Sequence, residues 1–348
     1  MKTHMFIAFL IMPFLVNSQT TAIPDPVFES ELIASGIDTN GMTGNILNSD
    51  TEGVINLFLR NKGISDLTGI EAFVDLVMLD CEDNLLTTLD LTYNTNLNIL
   101  DCNGNQLNNL NISANTMLEQ LACMDNDLTT LNLSNNTMLS TLSCYNNQLE
   151  VLDLTNNSEL YQIVCHDNEL TNITFPSTQN NLQIVWCYNN QLTNLDLTTA
   201  PALATLRFEN NQLTFLDLRN GNNTNIHTMD ARGNPNLELI CVDNIGYSNS
   251  AINWTKDTTA NYSESCTLSL EKNESETIKI YPNPTKYILT ITSTTEPLKE
   301  VKIYNNLGQL KDIKTETLIN LSNYSAGIYF IKIETVSGKQ TIHKIIIN

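Results

Sequence analysis

The chain is short of the side chains on which most enzymes and nucleic-acid binders depend. Residues 19–270 hold only 6 basic side chains (Arg60, Lys62, Arg207, Arg219, Arg232 and Lys256) against 30 acidic ones, and the whole chain carries a formal charge of -21. Phosphate binding needs Lys and Arg to displace counterions, so nucleic acid is excluded as a partner and anionic membrane surfaces are disfavoured. Histidines number four, and no G-x-S-x-G, H-E-x-x-H, P-loop or G-x-G-x-x-G string occurs. His227 has no nucleophile suggested beside it. The sequence therefore predicts neither enzyme activity nor a cofactor. After residue 16 no apolar run is long enough to cross a bilayer, so no transmembrane segment is expected once the leader is removed.

That leader is the stretch in which Lys2 precedes an apolar run from Met5 to Val16, followed by Asn17, Ser18 and Gln19. The run is too short to span a membrane comfortably, and the small Ser18 suits cleavage, which predicts a signal peptide over residues 1–18 and an exported mature chain.

What the sequence does have is repetition. Segments such as CNGNQLNNLNISANTMLEQLA and CMDNDLTTLNLSNNTMLSTLS recur from Cys81, Cys102, Cys123, Cys144, Cys165 and Cys187, a step of 21 and finally 22 residues. Leu59, Phe208 and Ala231 extend the series to nine coils. Each coil reads L-x-x-L-x-C-x-x-N, and a second inward column follows ten residues on (Leu91, Ile112, Leu133, Leu154, Phe175, Leu197, Leu218, Cys241). About 21 residues hold a short strand and an extended return, but hardly an α-helix and two connections. Stacked at ~4.8 Å, the strands make a parallel sheet roughly 40 Å long. The Asn three residues after each Cys-column position (Asn84 through Asn234) is expected inside the turn, bonding the backbone of adjacent coils.

The repeat resembles the leucine-rich repeat, and its 21-residue form with Cys in place of Leu is similar to bacterial internalin-type surface proteins. Over residues 54–244 the resemblance implies a right-handed leucine-rich-repeat solenoid with its strands on the concave face and a protein partner as the usual ligand.

A single file of inward thiols offers neither the paired spacing of a metal site nor the Cβ separation of a disulfide, so the Cys column is read as small buried hydrophobes and no metal is expected. Cys241 and Cys266 differ: in an exported chain they are expected to pair, stapling a cap at 245–270 to the last coil. Trp254 in that cap is read as core.

At the other end, Asp25 and Pro26 suit the N-cap and first position of a helix whose Phe28, Leu32 and Ile33 face inward and which Gly36 ends, giving a cap over 19–53. The following stretch holds Asp38, Asn40, Asp50 and Glu52, a set compatible with calcium. It lacks the D-x-[DN]-x-[DN]-G-x5-E arrangement, and a solvated turn is expected.

From about Glu271 the period vanishes and alternating runs such as YILTITS and VKIYNNLGQLKD predict a small antiparallel β-sandwich over 271–348, with turns at Asn306 to Gly308 and Ser337 to Gly338. Y-P-N-P-T at 281–285, a hairpin after Gly327 and the K-I-I-I-N end resemble the C-terminal sorting domain of type IX secretion cargo. The resemblance implies contact with that secretion machinery and a final location on the cell surface or in the medium.

Strand side chains alternate, so the residues flanking each inward Cys point out of the concave face. Met124, Tyr145, His166, Trp186 and Tyr188, with Val164, form an aromatic and apolar centre, with Arg207 beside it and acidic coils around it. This is the expected binding surface of an exported protein-binding scaffold, adhesin-like or adaptor-like, although such neighbours also pack on one another for structural reasons. A glycan-binding surface protein is the alternative, since stacked Tyr and Trp beside Asp and Asn serve that role too. A His166, Asp167 and Asp125 acid/base or metal cluster is disfavoured, because adjacent residues on one strand point to opposite sides unless a turn intervenes.

Overall fold

The computed structural model describes residues 19–265, 278–293, 296–305, 309–338 and 340–348. The expected signal peptide, the turn at 306–308 and Cys266 lie outside the described residues. The chain divides into two compact units, Met1–Cys266 and Thr267–Asn348.

The first unit is a solenoid built on a ten-stranded, all-parallel sheet whose strands run in chain order from Asn56–Phe58 to Trp254–Thr255. Each strand is three residues or fewer, with its middle side chain inward. Register is exact from coil to coil: Asp80 pairs with Asp101, Ala122 with Ser143, Val164 with Trp186, and Trp186 with Arg207. The tenth strand was not expected. Trp254 sits in a stretch without the repeat motif, yet Met229 pairs with Trp254 in the same register. Trp254 is buried, donates its indole N–H to Ile226 C=O at 2.7 Å, and meets the Tyr247 and Tyr262 rings edge-on.

A second, broken parallel ladder runs along the return path, with Val151–Asp153 against Asn172–Thr174 and Phe215–Asp217, Leu239–Cys241 and Asn261–Ser263 in a row. Between the two tracks lies one continuous core of Leu, Ile and Cys side chains. All six repeat cysteines are free and fully buried.

Three polar columns hold the coils in register. The expected one is Asn84 to Asn234. Asn147, for example, donates from Nδ2 to the carbonyls of Cys123, Cys144 and Tyr145 and accepts the Leu128 N–H at 2.9 Å. A second column, Asn94, Asn115, Asn136 and Asn157, was not anticipated. These side chains are essentially inaccessible and each donates to two carbonyls of the preceding coil. The third column sets the turn itself. Asn61, Asp83, Asp125, Asn146, Asp167, Asn189 and Asn210 all have φ between 52° and 57°, and Gly104 and Gly233 fill the equivalent places. Asn, Asp and Gly are the residues that enter this left-handed region at least cost.

At the N-terminal end the helix Pro26–Ala34 buries Phe28 and Leu32 against the core of the first coils. Asp25 caps it, accepting the Val27 and Phe28 N–H groups through Oδ1, and reaches Ser65 and Asp66 through Oδ2. The next stretch departs from a solvated turn. It returns through the strand Asn45–Leu47, paired with Thr20–Ala22, into the short helix Asn48–Thr51, and Asp38 within it is only 4% exposed.

The second unit is a β-sandwich. Ile278–Tyr281, Ile288–Ser293 and Leu318–Asn320 form one antiparallel sheet, and Leu298–Asn305, Leu310–Lys314, Gly327–Thr335 and Gln340–Ile347 the other. Leu289, Ile291, Val301, Ile303, Ile331, Ile333 and Ile345 fill the space between them.

Candidate binding surface

The pairing registers place the two columns beside the buried cysteines on the open face of the ten-stranded sheet, and there the side chains meet. Tyr145 and His166 stack with ring centroids 4.4 Å apart and planes 14° from parallel, and His166 and Tyr188 stack at 4.1 Å and 8°. The Arg207 guanidinium carbon lies 4.4 Å from the Tyr188 ring centre and 5.9 Å from that of Trp186. A ridge of three stacked rings therefore ends in a cation. All of these residues are half-buried. Met124 holds the adjacent place in the Tyr145 column, fixed through its N–H to Asn103 Oδ1 at 3.0 Å. Of the six predicted surface residues, five make ring or cation contacts with one another.

Burial, helped by the carboxylates of Asp125 and Glu82, pushes the Tyr145 phenol up, and burial does the same for Tyr188 against the lowering effect of Arg207. Both phenols are therefore neutral donors at physiological pH. Arg207 also pairs with Glu209. Glu209 Oε2 and Trp186 Nε1 are buried and have no hydrogen-bond partner among the described residues, which leaves an acceptor and a donor unused beside the ridge.

His166 and Asp167, neighbours in sequence, touch because a turn intervenes, with Nδ1 and Oδ2 at 2.6 Å. Asp167 has φ 52°, so the left-handed turn brings its carboxylate back onto the ring. Asp125 is engaged elsewhere, accepting from Asn146. Toward the first coils the face turns acidic: Asp80, Glu82 and Asp101 place carboxylate oxygens within 4.8 Å of one another, with Arg60 bonded to Glu82 at 2.8 Å. Burial and the Asp80 charge beside it raise the Asp101 carboxyl.

The cysteine column is chemically quiet. Burial raises every thiol, Cys144 and Cys187 to about 12, so thiolate is scarce at neutral pH. Cys241 stands apart as disulfide-bonded; its expected partner, Cys266, is outside the described residues.

In the second unit the two terminal motifs meet. Asn283 donates to Lys344 C=O at 2.8 Å and accepts the Ile346 N–H at 2.9 Å, while Thr285 exchanges backbone bonds with Ile346 and Asn348. Y-P-N-P-T and K-I-I-I-N thus form one hydrogen-bonded corner.

The first unit is a parallel-strand solenoid of about ten turns that resembles leucine-rich-repeat proteins, and the second is a small β-sandwich that marks the chain for export. Residues 279–348 match the secretion system C-terminal sorting domain family, so the protein is a secreted or outer-surface protein. Among the described residues no helix is long and apolar enough to cross a membrane. Ulvan lyase NLR42 of Nonlabens ulvanivorans is 32% identical over 90 residues, 24% of this chain, and the match spans only 17% of that lyase. Among solved structures, the functional domain of InlJ from Listeria monocytogenes, which includes a cysteine ladder, is 20% identical with a TM-score of 0.43, covering 95% of this chain and 99% of that one. Internalin C2 of the same organism is 24% identical with a TM-score of 0.39, over 53% of this chain and 96% of its own. A leucine-rich repeat protein of Leptospira interrogans is 16% identical with a TM-score of 0.43, over 62% and 67%.

Proposed function

We propose that this exported protein is a binding scaffold, adhesin-like or adaptor-like, that takes a protein partner on the open face of its ten-stranded sheet. The observation that carries the reading is the Tyr145, His166, Tyr188 and Arg207 ridge, with Trp186 and Met124 at its side. It is a preorganised aromatic and cationic strip with an unused donor and acceptor, framed by polar coils. Rigid aromatics and Arg in such a setting are the usual anchors of protein interfaces. Stacking against a sugar would be confined to Tyr145 and Trp186, since His166 is held between two rings and Tyr188 meets both His166 and Arg207, and this favours a protein partner over a glycan. In this reading residues 19–53 and 245–270 close the ends of the repeats at 54–244, and a Cys241–Cys266 bond staples the second cap.

The test is capture from the cell-surface fraction by the mature chain, identification of the captured protein, and titration of that purified protein against the wild type and a Tyr145→Ala, Trp186→Ala, Tyr188→Ala variant. At about 2 kcal/mol per anchor, even one anchor predicts more than tenfold weaker binding. Capture that survives protease treatment of the ligand and lights up a glycan array, dimming with the same substitutions, would transfer the reading to glycans.

A further inference from the structure

The N-terminal cap contains oxygens that its own fold leaves unpaired. Asp38 is 4% exposed; its Oδ1 accepts the Asn40 N–H at 3.0 Å, and its Oδ2 is buried with no hydrogen-bond partner among the described residues. Asn40 repeats the pattern. Its Nδ2 is engaged by Asn45 O and Oδ1, while its Oδ1 is buried and unpaired. Asp50 closes on the same turn, accepting both the N–H and the hydroxyl of Thr39 through Oδ2 at 2.9 and 2.8 Å. Glu29 lies close by with Oε1 holding the N–H groups of Thr43, Gly44 and Asn45, so it adds negative charge while its own position is fixed. Burial, with Glu29 and Asp50 adding to it, pushes the Asp38 carboxyl up, as expected where a carboxylate lacks a counter-charge.

Two buried acceptors with no donor cost free energy unless something positive meets them. No Lys or Arg lies between residues 3 and 59, so the positive partner must come from outside that stretch of chain. The backbone frame is also telling. A helix (Pro26–Ala34) leads into the turn, a short strand with the fully buried Ile46 follows, and a second helix (Asn48–Thr51) begins just before Asp50. Gly41 and Gly44 supply positive φ inside the turn. Carboxylate first, Asn two residues on, a buried aliphatic on a short strand, and an acid at the end is the donor logic of a calcium loop. This loop departs from the EF-hand pattern by one extra residue and by ending in Asp, with Met42 and Thr43 where a further acid would stand.

We propose that the turn from Asp38 to Asp50 is a calcium site, with Asp38 Oδ2, Asn40 Oδ1 and the Asp50 carboxylate as protein ligands and water completing the shell. Oxygen donors only, in an irregular loop rather than an octahedral cage, favour Ca²⁺ over Mg²⁺, and the affinity belongs with extracellular modules at about 10⁻⁴ to 10⁻³ M. The acidic cluster Asp80, Glu82 and Asp101 has only partly exposed carboxylates and a bonded Arg60, and no unpaired buried oxygen points to an ion there.

The experiment is calorimetric titration of CaCl₂ and, separately, MgCl₂ into the chelator-treated mature chain, with thermal unfolding in parallel. One Ca²⁺ per chain is expected, with a raised midpoint and no comparable response to Mg²⁺. Asp38→Asn and Asp50→Asn should each weaken binding about tenfold or more, while a joint Asp80→Asn, Glu82→Gln, Asp101→Asn variant should leave it unchanged. Circular dichroism of each variant separates loss of the site from loss of the fold, and Asn40→Ala gives an independent reading should Asp38→Asn not fold. No Ca²⁺ heat, or heat abolished by the joint Asp80, Glu82 and Asp101 variant instead, overturns the proposal. So does a proton as the occupant: Asp38→Asn would then raise stability at neutral pH in the absence of calcium, with no calcium dependence to lose.

Discussion

Asn283 and Ile346 stand 63 residues apart, and a hydrogen bond of 2.9 Å from the Ile346 N–H to Asn283 Oδ1 ties the turn after the first strand of the sorting unit to its last strand. With the second bond from Nδ2 to Lys344, Asn283 fastens the edge of the last strand beside the backbone bonds that Thr285 makes to Ile346 and Asn348.

Replacing Asn283 by Ala removes both bonds, at a cost of about 1–3 kcal/mol to the sorting unit. Less protein should reach the surface or medium and more should remain in the periplasm. Asn283→Asp keeps the acceptor for Ile346 but not the donor for Lys344, so it should fall between. Fractionation with quantitative blotting decides it, and unchanged export of Asn283→Ala would refute the role.

Asn147→Ala should be among the most damaging polar substitutions in the solenoid. It strands the buried Leu128 N–H, at about 1–3 kcal/mol for an unsatisfied buried group, and takes one bond from each of three carbonyls that keep another donor: Asn126 for Cys123, Asn168 for Cys144 and the Asp125 N–H for Tyr145. The adjacent Asn146 is exposed and makes one side-chain bond to Asp125. Asn146→Gly keeps the left-handed turn and should change stability by no more than about 0.5 kcal/mol. Denaturant unfolding of the pair tests the contrast, which fails if the two variants unfold together.

The cysteine ladder makes a prediction about reactivity. Six free thiols, fully buried and with raised pKa values, should give no reaction with a thiol reagent in the native protein and six equivalents after denaturation without reductant. Fewer than six in denaturant would mean bonds within the ladder; eight would mean that Cys241 and Cys266 are both reduced.

Much of this architecture was legible because a 21-residue period makes each structural need appear as a vertical column of one residue type. The Cys and Asn84-to-Asn234 columns were read that way. The Asn94, Asn115, Asn136 and Asn157 column carries the same spacing, but its Asn-rich surroundings disguise which amide turns inward. The Asp83-to-Asn210 column is hidden differently, since its residues are chosen for a backbone angle and their side chains lie outside. The tenth strand was illegible because Trp254 takes a Leu position only through space, after a helix at Ile245–Ser250 that breaks the period. The face of the aromatic ridge followed from strand alternation. The His166–Asp167 contact did not, because alternation ends where φ turns positive.

Asp25 supplies the pH dependence of the N-terminal cap. Burial raises its carboxyl, but hydrogen bonds from Ser65, Phe28 and Val27 outweigh this and hold the carboxyl below its usual range. A folded pKa below the unfolded value of about 3.9 means that the ionised form stabilises the fold. That contribution is present above pH ~4 and is lost as the pH falls through the folded pKa. Asp25→Asn retains an oxygen for the helix N-cap but turns an amide donor toward the Ser65 and Asp66 N–H groups, which can no longer be met. The variant should melt below the wild type at pH 7 by the equivalent of about 1–3 kcal/mol. The gap should shrink as the pH falls below 4, because a protonated Asp25 loses the same acceptor. Thermal unfolding of both proteins from pH 2 to 7 measures the gap directly, and a gap independent of pH would mean that the Asp25 charge does not tie the cap to the first coil.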